Sequence, residues 1–235
     1  MKSLTEWGQA LADALMPRLC PVCGHALQAD ERHICRSCLA ALPRTHLEEV
    51  NFNTMEQLFA GKVPIERATG YFYYQKSSPY AQILHDIKYR NRPQMGLWLT
   101  ARAAGEMRAS GFFDGIEAIV PVPLHPSKLA QRGYNQSDYL AHGLAQALDI
   151  PVIDALKSTR AHGSQTRRGA TDRWLNAQHT YALRAAKAQL LEDKHILLVD
   201  DVVTTGATLE ACAHALLAIP GVRVSLFTLA TARLD

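Results

Sequence analysis

No apolar run in this sequence approaches the roughly 20 residues that a membrane-spanning helix needs, which argues against an integral membrane protein. An export signal is not expected either. The first segment, MKSLTEWGQALADALMPR, has apolar residues at helical spacing, yet it carries Glu6, Gln9 and Asp13 where a signal peptide would be uninterruptedly apolar. It reads as an amphipathic helix over 1–18 of a cytoplasmic protein. Charge of one sign is scarce, with a formal net charge of only +3. Proteins that coat nucleic acid broadly are more basic than this, so any DNA contact is expected from a local patch. Internal repeats and low-complexity tracts are absent. So are Gly-x-x-x-x-Gly-Lys-Ser/Thr and Gly-x-Gly-x-x-Gly, which excludes the common nucleotide and dinucleotide phosphate loops.

Cysteine is sparse and oddly numbered, with five in the chain. Without an export signal a disulfide framework is not expected. Four of the five form CPVC at 20–23 and CRSC at 35–38. Each Cys-x-x-Cys turn can direct two thiolates toward one ion. Cys20, Cys23, Cys35 and Cys38 thus make a tetrahedral sulfur site suited to Zn²⁺. Residues 19–45 have too little apolar surface to fold unaided, and structural zinc can supply roughly 10–16 kcal/mol of apparent folding free energy. Four thiolates leave no open coordination position, so the zinc is expected to be structural. His25 and His33 read as surface residues. Thioredoxin-like redox chemistry is disfavoured, because neither pair opens a helix after a strand. Cys212 falls on the apolar face of a helix with Leu209, Ala213, Leu216 and Leu217, and reads as core.

The most informative stretch is His195-Ile-Leu-Leu-Val-Asp-Asp-Val-Val-Thr-Thr-Gly-Ala-Thr208. A short apolar strand leads into two adjacent carboxylates, then a Thr- and Gly-rich turn, then an apolar-periodic helix. In an open parallel sheet, ligands lie beyond the carboxyl ends of the strands. Thr204, Thr205 and Thr208 offer hydroxyls, and Gly206 lets the backbone approach a ligand closely. The helix start adds unpaired N–H groups and the positive end of its dipole. Asp200 and Asp201 can accept from vicinal hydroxyls or stand near magnesium. This composition suits a phosphorylated sugar.

A second unusual segment is Pro121-Val-Pro-Leu-His-Pro-Ser-Lys-Leu-Ala-Gln-Arg-Gly-Tyr-Asn-Gln-Ser137. Its prolines rigidify a turn where a strand ends, and Lys128, Arg132 and Asn135 then present donors. Taken alone, it is equally well read as a helix start with Pro126 near N1 and solvated basic residues. From Ala68 onward, apolar runs at 71–74, 116–122, near 153–158, 195–199 and 222–230 alternate with amphipathic helices at 80–90, 96–109 and 134–148. This order argues for a mostly parallel sheet covered on both faces. Residues 159–178 are polar, basic and aperiodic, as expected of a long functional loop.

The segment 195–208 resembles the signature of type I phosphoribosyltransferases, which bind 5-phosphoribosyl-1-pyrophosphate (PRPP). Together with PVPLHPSKLAQRGYNQS, the chain is similar to the ComF (GntX-like) family of competence-associated proteins. The likeness extends to the paired Cys-x-x-Cys units and to Leu84…Ile87-Lys88-Tyr89. It also includes Thr159-Arg160, Gln165, Thr166, Arg168, Arg173 and Asn176.

The resemblance implies an α/β fold: a type I phosphoribosyltransferase-like, mostly parallel sheet with flanking helices, plus a small N-terminal zinc module. The organisation would be the helix 1–18, a Cys₄ module at 19–45, a connector at 46–65 and the phosphoribosyltransferase-like domain at 66–235. Asp200 and Asp201 would act on the ribose as the catalytic pair. Val203, Thr204, Thr205, Gly206, Ala207 and Thr208 would wrap the 5′-phosphate, and Pro123, Leu124 and Lys128 would receive the pyrophosphate. Arg132, Arg160, Arg168, Arg173 and Lys88 would supply positive charge, those within 160–176 on a flexible lid. Mg²⁺ would accompany PRPP. Two functions follow from the resemblance. One is an Mg-dependent phosphoribosyltransferase, in the pentosyl class of glycosyltransferases, acting in DNA uptake or utilisation. The other is a non-catalytic module that binds a nucleotide or single-stranded DNA and partners a DNA-uptake helicase or recombination mediator.

Overall fold

A computed structural model of the chain describes residues 17–159 and 180–233. The expected helix at 1–18 and loop at 159–178 lie almost wholly outside the described residues, as do Arg160, Arg168 and Arg173. In chain order the first elements are α1 (Arg36–Ala40), α2 (Thr54–Phe59), β1 (Ala68–Tyr74), α3 (Ala81–Tyr89), α4 (Pro93–Met107), β2 (Ala118–Pro121) and α5 (Pro126–Arg132). Then come α6 (Gln136–Leu148), β3 (Leu156–Ser158), β4 (Tyr181–Leu183), α7 (Ala185–Ala188), β5 (His195–Val203), α8 (Ala207–Leu216) and β6 (Arg223–Ala232).

The central sheet runs β1-β6-β5-β2, and every pairing in it is parallel. Side-chain alternation explains the unbroken apolar runs. Ile196 and Leu198 belong to one buried cluster, while Leu197 and Val199 belong to the other, on the opposite face. A strand covered on both faces has no polar side to reveal its period. Pro121 is tolerated because β2 is an edge strand, where a missing N–H costs the ladder little. β5 continues through the acidic pair to Val203, so Asp200 and Asp201 belong to the strand and the loop begins only at Thr204. β3 and β4 form a small antiparallel pair flanking 160–179, a strand pairing that the residue pattern after 178 did not suggest.

The helices are held close by specific contacts. A Cβ on Gly143 of α6 would collide with the Leu97 carbonyl and Thr100 Oγ1 of α4, so this crossing requires glycine. Thr100 Oγ1 also donates to the Leu140 carbonyl at 2.9 Å. Asn135 caps α6 and donates through Nδ2 to the Val122 carbonyl at 3.1 Å, tying the helix start to the end of β2.

The cysteine segment joins the same core. Cys20, Ile34 and Leu42 are buried in the cluster that contains α4 and β1 residues. Residues 43–45 run along the outer edge of β1, with Tyr73 N donating to Pro43 O at 2.8 Å and Thr45 N to Tyr71 O at 3.2 Å. That pairing covers an otherwise open sheet edge. Met55, Phe59 and Val63, from the 46–65 stretch, pack in the other cluster with β2, β5 and β6.

Candidate functional site

The carboxyl ends of β2 and β5 open into a cavity of about 250 Å³, lined by Lys88, Pro123, Leu124, Lys128, Arg132, Asp200, Asp201 and Thr208 among others. A smaller hollow of about 40 Å³ adjoins it, formed by Val203, Thr204, Thr205, Gly206, Ala207 and Thr208. Asp200 and Thr208 line both. The fold therefore brings the described residues expected at the site to two hollows that share lining residues.

The turn owes its shape to Gly206, which has φ +80° and directly precedes α8. That conformation is cheap only for glycine. Phe59 and Leu58 of α2 press against the same residue from behind. The first N–H groups of α8 have no intrahelical acceptor, so the turn is built to receive an anion.

Both carboxylates at the end of β5 are buried, Asp200 at 8% exposure and Asp201 at 4%. Asp200 Oδ1 accepts from Ser137 Oγ at 3.0 Å and from the Asp201 N–H at 2.9 Å. Asp201 Oδ1 is paired with Lys88 Nζ at 2.9 Å. The other oxygen, Asp201 Oδ2, is buried and has no partner among the described residues. Burial, reinforced by the charge of Asp201, raises the Asp200 pKa to about 7. Among the described residues each carboxylate thus keeps one uncommitted oxygen, a pattern that suits two vicinal hydroxyl donors. A magnesium ion held by the protein needs six oxygens in near-ideal geometry at about 2.0–2.1 Å. Here it would share the pair with an ammonium already on Asp201, so the pair does not fit a protein-held divalent ion.

Opposite the acidic pair lies the proline turn. His125 caps α5 by accepting from Ser127 N, and Pro126 occupies the first helical position. This places Lys128 and Arg132 at the cavity, with the Arg132 guanidinium 5.2 Å above the Tyr89 ring and hydrogen-bonded to Gln136. Residue patterns alone missed Ser137, Gln136, Tyr89, Ser158 and Tyr181, which touch the acidic pair or line the cavity. Tyr181 is buried, which pushes its hydroxyl pKa up and keeps it protonated. Asn135-Gln-Ser137 was legible as a helix start, but its partner Asp200 is 63 residues away.

The four Sγ atoms of Cys20, Cys23, Cys35 and Cys38 lie within 4.8 Å of one another. Burial would raise the Cys20 thiol, but N–H groups of Cys35, Cys23 and Val22 outweigh it and bring the pKa to about 7. Cys38 is pushed far up, by burial first and then by the neighbouring thiols. Four sulfurs this close cannot all ionise unless a cation joins them, and the donor set fits one metal ion. CRSC does open a helix, α1, with Cys35 as its cap, but among the described residues no strand precedes it. His25 is exposed as expected; His33 instead packs half-buried on Trp98, with ring centroids 5.7 Å apart. Cys212 is fully buried, as its helical position implied. Among the described residues no helix is long and apolar enough to cross a membrane.

Residues 136–233, from α6 through β6, match the family model of the phosphoribosyl transferase domain. The chain is 39% identical over 102 residues to Competence protein F of Haemophilus influenzae, covering 43% of this chain and 44% of that protein. That alignment spans less than half the relative's length. Over 203 residues the chain is 28% identical to DNA utilization protein YhgH of Escherichia coli, covering 85% of this chain and 84% of that protein. Among solved structures, glutamine PRPP amidotransferase from B. subtilis is 18% identical at a TM-score of 0.40, covering 60% of this chain and 30% of that one.

Proposed function

We propose that this chain, which belongs to the ComF family, binds PRPP or another phosphorylated ribose beyond the ends of β2 and β5 and serves in DNA uptake or utilisation in the cytoplasm. The observation that carries the reading is Asp201, a residue that lines a polar cavity and whose buried Oδ2 has no partner among the described residues. An orphaned buried acceptor costs stability unless a ligand supplies the missing donor. The 5′-phosphate would lie in the Thr204–Thr208 turn, on the N–H groups of α8. The ribose hydroxyls would donate to Asp200 and Asp201. A pyrophosphate would face Lys128 and Arg132, with magnesium entering as its counter-ion. Zinc on the four cysteines would be structural.

In such a site the chemistry lies at C1 of the ribose. As the bond to pyrophosphate lengthens and an acceptor nucleophile bonds to C1 in its place, basic side chains neutralise the departing oxygens. The acidic pair faces the positive charge that develops on the sugar. Both effects stabilise charge separation without a covalent intermediate. The link to DNA rests on the names of the relatives, a competence protein and a DNA utilization protein.

The test is calorimetric titration of zinc-loaded protein with PRPP and Mg²⁺, beside single-stranded DNA at two salt concentrations. Saturable PRPP binding that Asp201→Asn abolishes is the expected result. Absence of PRPP binding, with salt-sensitive DNA binding intact, would overturn the proposal in favour of the DNA-binding module.

A further inference from the structure

The acidic pair already contains a cation. Lys88 Nζ is 2.9 Å from Asp201 Oδ1, and the lysine side chain is only 21% exposed. Its placement is fixed rather than opportunistic. Lys88 occupies the last turn of α3, whose first residue follows Tyr80, and the Tyr80 hydroxyl donates to the Cys38 carbonyl at 3.0 Å. At the other end of α3, the Tyr134 hydroxyl holds the Ile87 carbonyl. Buried Asp86 binds Arg92 Nη1 at 3.2 Å and so fixes the turn that follows. The ammonium is thereby delivered to one oxygen of Asp201, leaving the other buried without a partner among the described residues.

We infer that Lys88 is the resident cation of this site and takes the place of a protein-held divalent metal, so that a phosphorylated ribose binds to Asp200 and Asp201 without metal. The inference rests on the phosphoribosyl reading of the cavity. Lys88 is a positioning residue: its ion pair orients Asp201, and the ribose hydroxyls meet the remaining oxygen. A divalent ion at the same place would meet like-charge repulsion from the ammonium. Removing the ammonium leaves a buried carboxylate with no counter-charge, which is the condition under which a metal would be recruited.

Two measurements decide it, both on zinc-loaded protein with zinc content and thermal midpoint checked for each variant. In the first, ribose 5-phosphate, which lacks the metal-chelating pyrophosphate, is titrated in buffer freed of divalent ions and again with Mg²⁺. The wild-type affinity is expected to be unchanged between the two. Lys88→Met should weaken binding roughly ten- to hundredfold, the range for a lost charged hydrogen bond, and Lys88→Arg should retain most of it. Metal-dependent binding by the wild type, or no loss in Lys88→Met, would overturn the inference. The second measurement needs no sugar. Mn²⁺ is followed by its paramagnetic resonance signal: the wild type should hold none at this pair. Lys88→Met should gain one site that a second change, Asp201→Asn, removes. Equal Mn²⁺ binding by wild type and Lys88→Met overturns the inference. Should ribose 5-phosphate and PRPP both fail to bind the wild type, the phosphoribosyl reading falls, and the Mn²⁺ result alone decides the role of Lys88 as resident cation.

Discussion

Phe59 backs Gly206: a Cβ placed on Gly206 would stand 3.0 Å from Phe59 Cε1. The Thr204–Thr208 turn is therefore shaped by a helix that precedes the sheet by sequence and packs against Gly206. Two penalties meet in Gly206→Ala. The residue has φ +80°, which costs an L side chain about 1–2 kcal/mol. The new methyl also presses on a ring that is 1% exposed and has little room to retreat. Gly206→Ala should lower unfolding free energy by about that amount or more, and it should weaken binding of inorganic phosphate. Adding Phe59→Leu should restore part of the phosphate affinity although Phe59 lines neither hollow. Denaturant melts and phosphate titrations of the two single variants and the double form a cycle. Strict additivity would show that the contact does not shape the turn.

Asp200 gives a pH dependence with a definite sign. Its pKa is raised to about 7 in the folded chain by burial and by the charge of Asp201, against about 3.9 unfolded. Between those values the native state holds a proton that the unfolded chain has lost, so this group makes stability fall as pH rises from about 4 to about 7. Asp200→Asn should remove that slope. The variant should be more stable than wild type at pH 8 and close to it at pH 4, while losing ribose 5-phosphate binding. Urea melts across this range provide the measurement. A wild-type minus variant difference that is flat with pH would show that Asp200 titrates normally. The trade is the one expected of a binding site, where an uncomfortable carboxylate is retained for its ligand.

Much of the architecture was legible because it is written locally. The apolar run 196–199, the Thr-Gly turn and the helix at 207–216 each carry their own signal, and their order implied the parallel sheet. The Cys-x-x-Cys pairs announced, by spacing alone, a cluster of four sulfurs that could hold a metal ion. What was not legible is what depends on distant partners. Ser137 looks like any polar residue in a helix's first turn, yet its hydroxyl ends on Asp200. Lys88 is one of several basic residues until α3 delivers it to Asp201. Phe59 reads as a connector residue, and only the packing of α2 brings it against the Thr204–Thr208 turn. The strand's extension through Asp200 and Asp201 was hidden because two adjacent carboxylates have low strand propensity and are held there by pairing with β6.

The cysteine segment should not melt by itself. Cys20, Ile34 and Leu42 share an apolar cluster with β1 and α4, and residues 43–45 cover the edge of β1. Glu106 of α4 binds Arg44 Nε at 2.7 Å and the Tyr71 hydroxyl at 2.8 Å, adding a polar tie across the same seam. Native protein should contain about one zinc per chain, and stripping it should lower the stability of the entire chain in a single transition. Cys20→Ser should act the same way, because Cys20 is both a ligand candidate and a core residue, 1% exposed. Calorimetry with and without metal tests this. A sheet that unfolds at its original midpoint after zinc removal would mean that the segment is an independent appendage.

Ser137→Ala isolates the contact that orients Asp200. The hydroxyl is completely buried and donates to Oδ1 at 3.0 Å. A donor to the ionised form lowers a carboxyl pKa, and Ser137 does so here against the larger upward effects of burial and Asp201. Removing it should move the titration of Asp200 further up. It should weaken ribose 5-phosphate binding by about 0.5–1.5 kcal/mol if the carboxyl stays neutral, and more if it must ionise to bind. The two cases separate by pH. A deficit that shrinks as pH rises from 6 to 9 means that ionised Asp200 is the binding form, since alkali restores the charge that the lost hydroxyl had favoured. A deficit constant with pH means that Ser137 acts only through geometry. In the Asp200→Asn background the same substitution should leave no pH-dependent effect, because the group whose charge it tunes is gone.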